Sequence, residues 1–208
     1  MGKIKIMKIC KIKYSSGFTL VELLIVVAII AILAAIAIPL ISTYRIRAFN
    51  AAANSDARNL ATAQEALFVD TQAYGDAAFA MLPVTTGAAS GAAFLVSGPK
   101  EPATAFVAGA YIFNQRGTAG FAVSNNVIIG IIGTVAVAPE INNTAYIIVA
   151  KHTGGNACYG KDSDSTSSYR AQSIAEKPLA AGDIVASTAS ADDLLNKTQG
   201  NCVNFAAQ

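Results

Sequence analysis

The chain has 208 residues, room for one medium domain and an appendage. It is 53% hydrophobic and only 13% charged, too apolar for an ordinary soluble domain, where roughly a quarter of residues carry charge. The formal net charge of +2 conceals an asymmetry. Lys3, Lys5, Lys8, Lys11 and Lys13 fall in residues 1–17 with no acid among them, which leaves the body acidic and argues against bulk nucleic-acid binding.

In chain order, the basic head is followed by Phe18–Ile38, an apolar run interrupted only by Thr19 and Glu22. At about 1.5 Å per residue a helix of that length spans ~30 Å, the hydrocarbon core of a bilayer. Lysines precede the run and none follow closely, so the start is expected on the cytoplasmic side and everything past Pro39 outside the inner membrane. A secretory signal peptide is one rival, although its apolar region is normally about 7–15 residues. The small residues of Ala34–Ala37 keep that reading open. A plain single-pass anchor is a second rival. Neither explains an acid at the start of the run, where burying a carboxylate is costly.

Gly17-Phe18-Thr19-Leu20-Val21-Glu22 and the apolar run through Pro39 resemble the processing site and N-terminal helix of type IV prepilins. The likeness extends to type IVa pilins, including those of the Geobacter kind, through Tyr44-Arg45 and on to Asn59-Leu60. It implies cleavage after Gly17 by a prepilin peptidase and N-methylation of the new terminus, Phe18. Gly17 lets a protease approach the backbone closely. Glu22 lies one helical turn past Phe18, so its carboxylate can meet that ammonium or a neighbouring subunit's and fix axial register in a filament. The leader, residues 1–17, is long for the type IVa kind; Met7 is an alternative start that keeps Lys8, Lys11 and Lys13. Ala31 stands where many relatives have glycine.

Five segments are expected: the leader 1–17, a membrane or filament-core helix 18–39, an amphipathic continuation 40–73, a variable connecting loop 74–103, and a β-sheet head 104–208. Pro39 removes one helical hydrogen bond and tends to kink, but helical periodicity resumes at once, so the helix is expected to continue. Phe49, Ala53, Leu60, Ala63 and Leu67 mark one apolar face, with Arg45, Arg47, Asn54, Asp56, Arg58 and Asn59 on the rest. Gly75 is the expected stop. The Ala, Gly, Ser, Thr and Pro-rich stretch beyond Tyr74 reads as irregular, with at most a short helical turn.

Strand signals follow at Ala105–Phe113, Gly120–Ser124, Val127–Ala138, Thr144–Lys151, and a short ribbon from Tyr159 to Ser168–Arg170. Val127–Ala138 is too short to cross a membrane. An antiparallel sheet of about four strands with one face on the helix is the simplest α+β arrangement. Loss of the leader removes Cys10 and leaves Cys158 and Cys202, an even pair that favours a disulfide in an exported chain, with two unrelated buried thiols as the alternative. A bond there would bound a C-terminal region, 158–202, of the kind pilins use as a surface patch. Ser190 is a candidate cap for a short helix over Ala191–Lys197.

Catalytic and metal chemistry find little support. Asp162-Ser163-Asp164 faintly resembles a calcium loop, but the glycine and glutamate an EF-hand needs are replaced by Ser167 and Ser173. An irregular calcium site at Asp162 and Asp164 is the one metal reading, a solvated polar turn its alternative. His152 has no nucleophile near it in sequence and reads as structural. The aromatics Phe18, Tyr44, Phe49, Phe68 and Tyr74 read as packing and interface residues. No cofactor and no enzymatic activity are expected.

The sequence thus points to a major type IV pilin, a homopolymer held first in the inner membrane and then drawn into a surface filament by an assembly platform and its ATPase. Twitching motility and adhesion are the expected uses. A minor pilin or a type II secretion pseudopilin shares the architecture. From another class, a membrane-anchored adhesion protein that never polymerises fits the same run.

Overall fold

The computed structural model describes residues 17–79, 94–97, 110–114, 116–133, 143–174, 177–179, 184, 192–198 and 200–208. The leader up to Ser16, most of the connecting loop, the tail of the Val127–Ala138 run and the Ser190 cap lie outside the described residues. Residues up to Ser42 form one compact unit and Thr43–Gln208 a second.

Helix α1 runs from Leu20 to Thr71 with Pro39 inside it, so the continuation past the proline is observed. It stops four residues before the expected Gly75. Gln72 adopts a left-handed φ of 59° and ends the helix, its amide donating back to the Phe68 carbonyl at 2.7 Å. Gly75 is needed for a different reason. A Cβ there would stand 2.9 Å from the backbone N and O of Phe113, a closeness only glycine allows.

Among the described residues nine strands follow, every pair antiparallel. β1 (Asp76–Phe79), β3 (Ala110–Phe113) and β4 (Thr118–Phe121) make a three-stranded sheet in the order β1-β3-β4. The larger sheet has six strands in the order β2-β5-β6-β7-β8-β9. Its members are β2 (Phe94–Ser97), β5 (Val127–Gly133), β6 (Tyr146–His152), β7 (Ala157–Asp162), β8 (Ser168–Ser173) and β9 (Cys202–Ala207). The α+β class with a long helix on an antiparallel sheet is therefore correct. The single sheet of about four strands is not: β1 and β2 lie in the supposed irregular loop, and β9 was unforeseen.

Within the second unit the helix buries Asn50, Ala53, Ala57, Leu60, Gln64, Leu67 and Thr71. Their spacing alternates between three and four residues, a narrow seam of the coiled-coil type. This seam packs with Ile129, Ile131, Ile148 and Ala150 in one core. Alternate residues of the same strands, Ile128, Ile132, Ile147 and Val149, point into a second core closed by Leu179, Ile184, Leu194 and Phe205. The sheet is thus covered on both faces, which is why β5 and β6 are buried at every position. Asp56, expected on the polar side of the helix, is buried as well.

Candidate processing and assembly segment

Gly17, Phe18 and Thr19 precede the first helical residue. A Cβ added at Gly17 would meet nothing within 4 Å, and Phe18 is 90% exposed. Thr19 caps the helix: its Oγ1 accepts the Glu22 N–H at 3.2 Å. Glu22 reciprocates, Oε2 accepting from the Thr19 N–H at 2.8 Å and the Thr19 hydroxyl at 2.7 Å. This Thr-x-x-Glu box satisfies donors that a helix start leaves open. Thr19 therefore holds the carboxylate that sequence reasoning reserved for Phe18 and neighbouring subunits. The Thr-x-x-Glu spacing was a readable signal for it. Cleavage after Gly17 would leave the box whole, because both donors belong to Thr19.

Beyond the box, every large apolar side chain from Phe18 to Ile41 is at least half exposed. The window within α1 reaches a mean hydropathy of 3.3, and by length and composition the helix can cross a membrane. Fully burying a side chain of this kind is worth about 1.5–3 kcal/mol, and at least half of that gain is still open to each of these. A run of this size therefore calls for lipid or protein around it. Pro39 is accommodated within α1, where the Ser42 hydroxyl donates to its carbonyl at 3.0 Å.

The head is tied down by polar residues that the apolar pattern did not flag. Gln64, fully buried, donates to the Gly75 carbonyl at 2.8 Å and accepts the Gly75 N–H at 2.9 Å, pinning the chain where it leaves the helix. Asp56 accepts from the Ser124 N–H at 2.7 Å and hydroxyl at 2.9 Å, while burial pushes its carboxyl above the usual range against those bonds. Glu65 accepts from the Tyr146 hydroxyl at 3.0 Å, and burial beside that carboxylate raises both Tyr146 and Tyr74, the latter to about 12. The Phe68, Tyr74 and Tyr146 rings pack in sequence at 4.6 and 4.7 Å, the packing role expected of Phe68 and Tyr74.

His152 is buried and stacks on Phe49 with ring centroids 4.0 Å apart. Its Nδ1 accepts the Gly154 N–H at 3.0 Å, so the neutral ring suits the site. Burial and the neighbouring Lys151 lower its pKa. Lys151 points into the second core and donates to the Ile174 and Lys177 carbonyls, with burial lowering its pKa. Cys158 of β7 and Cys202 of β9 form a disulfide, Cα atoms 5.8 Å apart and both side chains fully buried. Around the region it bounds, Asp162 accepts from the Asp193 N–H at 2.8 Å and the Asp164 N–H at 3.2 Å. Among the described residues no three His, Cys, Asp or Glu gather as a metal site. Residues 192–197 form turns rather than the expected helix, with Asp192 accepting from the Leu194 and Leu195 N–H groups.

An exposed apolar helix with a capped start, followed by an α+β head, is the arrangement that the prepilin resemblance implies. The family described as the prokaryotic N-terminal methylation motif matches residues 12–38. The type IV major pilin protein PilA of Myxococcus xanthus (strain DK1622) is 48% identical over 60 residues, which is 29% of this chain and 27% of that protein. The match thus spans little more than a quarter of that relative. No solved structure matches the chain. The N-terminal region thus carries a prokaryotic N-terminal methylation motif and is similar to that of a type IV major pilin.

Proposed function

We propose that the chain is the major subunit of a type IV pilus. A prepilin peptidase cuts after Gly17 and the new terminus, Phe18, is methylated. The apolar run holds the subunit in the inner membrane until an assembly platform and its ATPase draw it into a filament. Glu22 sets the register between subunits, and the heads, each bounded by its disulfide region, tile the outside for adhesion and twitching motility.

The observation that carries this reading is the run from Phe18 to Ile41, which leaves every large apolar side chain at least half exposed behind a prepilin methylation motif. Side chains so placed gain little from their own fold. They gain from lipid first and from copies of the same run afterwards. Electron microscopy with an antibody against the head, on material sheared from cells, tests the proposal. Labelled filaments are expected. Chain that stays wholly in the membrane fraction, with sheared filaments unlabelled, would instead identify an anchored protein that does not polymerise.

A further inference from the structure

Two arginines follow the apolar run without any acid to balance them. The sequence from Leu23 to Ser55 contains no aspartate or glutamate, yet Arg45 and Arg47 stand within it. Both are exposed, and among the described residues neither makes an ion pair. The next acid, Asp56, is engaged by Ser124.

Each guanidinium is instead backed by an aromatic ring. Arg45 lies over Phe49 with its Cζ 5.5 Å from the ring centroid, and Arg47 lies over Tyr44 at 5.8 Å. A guanidinium held over a ring at this distance is a cation–π contact, which leaves its N–H donors for the two-point hydrogen bonding that phosphate accepts. Two residues on a helix are separated by roughly 200°, so the two cations stand on opposite sides of α1. Tyr44, itself 57% exposed, has the amphipathic ring favoured at a membrane–water boundary.

We propose that Tyr44, Arg45 and Arg47 form a collar that binds phospholipid headgroup phosphates on the outer face of the inner membrane and fixes the depth of the membrane-held subunit. This rests on the reading that the apolar run spans that membrane. Chain length supports the position: the collar follows Ile41 by three to six residues, which even fully extended covers only ~20 Å. Charge complementarity supports the partner, because two cations without an ion pair among the described residues meet a layer rich in phosphate. The five leader lysines outnumber the two arginines and face the opposite side, so the collar does not reverse the expected orientation.

The chain separates the two basic regions chemically, since residues 1–17 contain lysines and no arginine. Full chain carrying 13C only in arginine is reconstituted in phosphatidylglycerol bilayers in phosphate-free buffer, and 13C–31P dipolar dephasing is read at Cζ. A second sample, prepared identically but with 13C in Leu and Ile instead, reports contacts between those side chains and lipid acyl protons. Dephasing in the native chain, lost in the R45Q/R47Q double variant while acyl contacts persist, is the expected result. Acyl contacts without arginine dephasing, or dephasing that survives in the double variant, would overturn the collar and leave the membrane reading intact. Absence of acyl contacts would overturn both.

Discussion

The apolar run and the head solve the same problem in opposite ways. From Phe18 to Ile41 the large apolar side chains stay at least half exposed, so what stabilises the run must come from outside the chain. In the head, Ile129, Ile131, Ile147 and Ile148 are all fully buried, and the sheet that carries them is sandwiched between two cores. Hydrophobicity alone does not separate the two regions; whether a second layer in the same chain covers it does. One region is therefore built to change surroundings and the other to keep its own.

If that division holds, changes in one region leave the other alone. Glu22→Gln keeps a side chain able to complete the capping box but removes the charge, and is expected to abolish surface filaments while the head melts as before. Normal filaments in this variant would remove Glu22 from the register. Within the head, Leu60→Ala empties a fully buried position on the helix seam and should cost about 2–5 kcal/mol, read by denaturant unfolding of the full chain in detergent. Replacing Cys158 and Cys202 together by serine should cost about 3–4 kcal/mol by the chain-entropy model, with membrane insertion unchanged. Gly75→Ala forces a Cβ against the Phe113 backbone and should lose about 1–3 kcal/mol.

The smallest effect is one of pH. His152 has a folded pKa below its ordinary 6.5, so below that pH the unfolded chain binds its proton more readily than the folded one. The His152 contribution to head stability is therefore expected to fall as pH drops through 6.5 towards the folded value, and to be level above it. A His152→Phe variant retains a ring against Phe49 and should flatten that slope in thermal melts. An unchanged slope would assign it to another group.

The N-terminal third was legible in the sequence because its signals are local. An uninterrupted apolar run, a proline followed by resumed periodicity, and Gly-Phe-Thr-Leu-Val-Glu each need only neighbouring residues to be read. Much of the head depends on partners distant in sequence. β2 gains its strand from pairing with β5, although Phe94-Leu95-Val96 was an apolar signal in a stretch read as loop. β9 forms against β8 through an irregular register, with Asn204 at a left-handed φ, and its alternation is correspondingly weak. Gln64 and Thr71 escaped notice because only apolar residues were counted along the helix. Extending the three-and-four spacing from Ala53, Leu60 and Leu67 passes through Asn50, Ala57, Gln64 and Thr71. The continuous apolar stretches of β5 and β6 likewise announced burial on both faces, and hence the second core.

The central claim is that the N-terminal run is freed at Phe18 and carried to the cell surface. Intact and N-terminal peptide mass spectrometry on protein sheared from cells tests it most directly. A chain beginning at methylated Phe18, with its mass lowered by the two hydrogens lost to the Cys158–Cys202 bond, is the expected result. A chain that retains residues 1–17, or one cut near Ala37, would contradict the account.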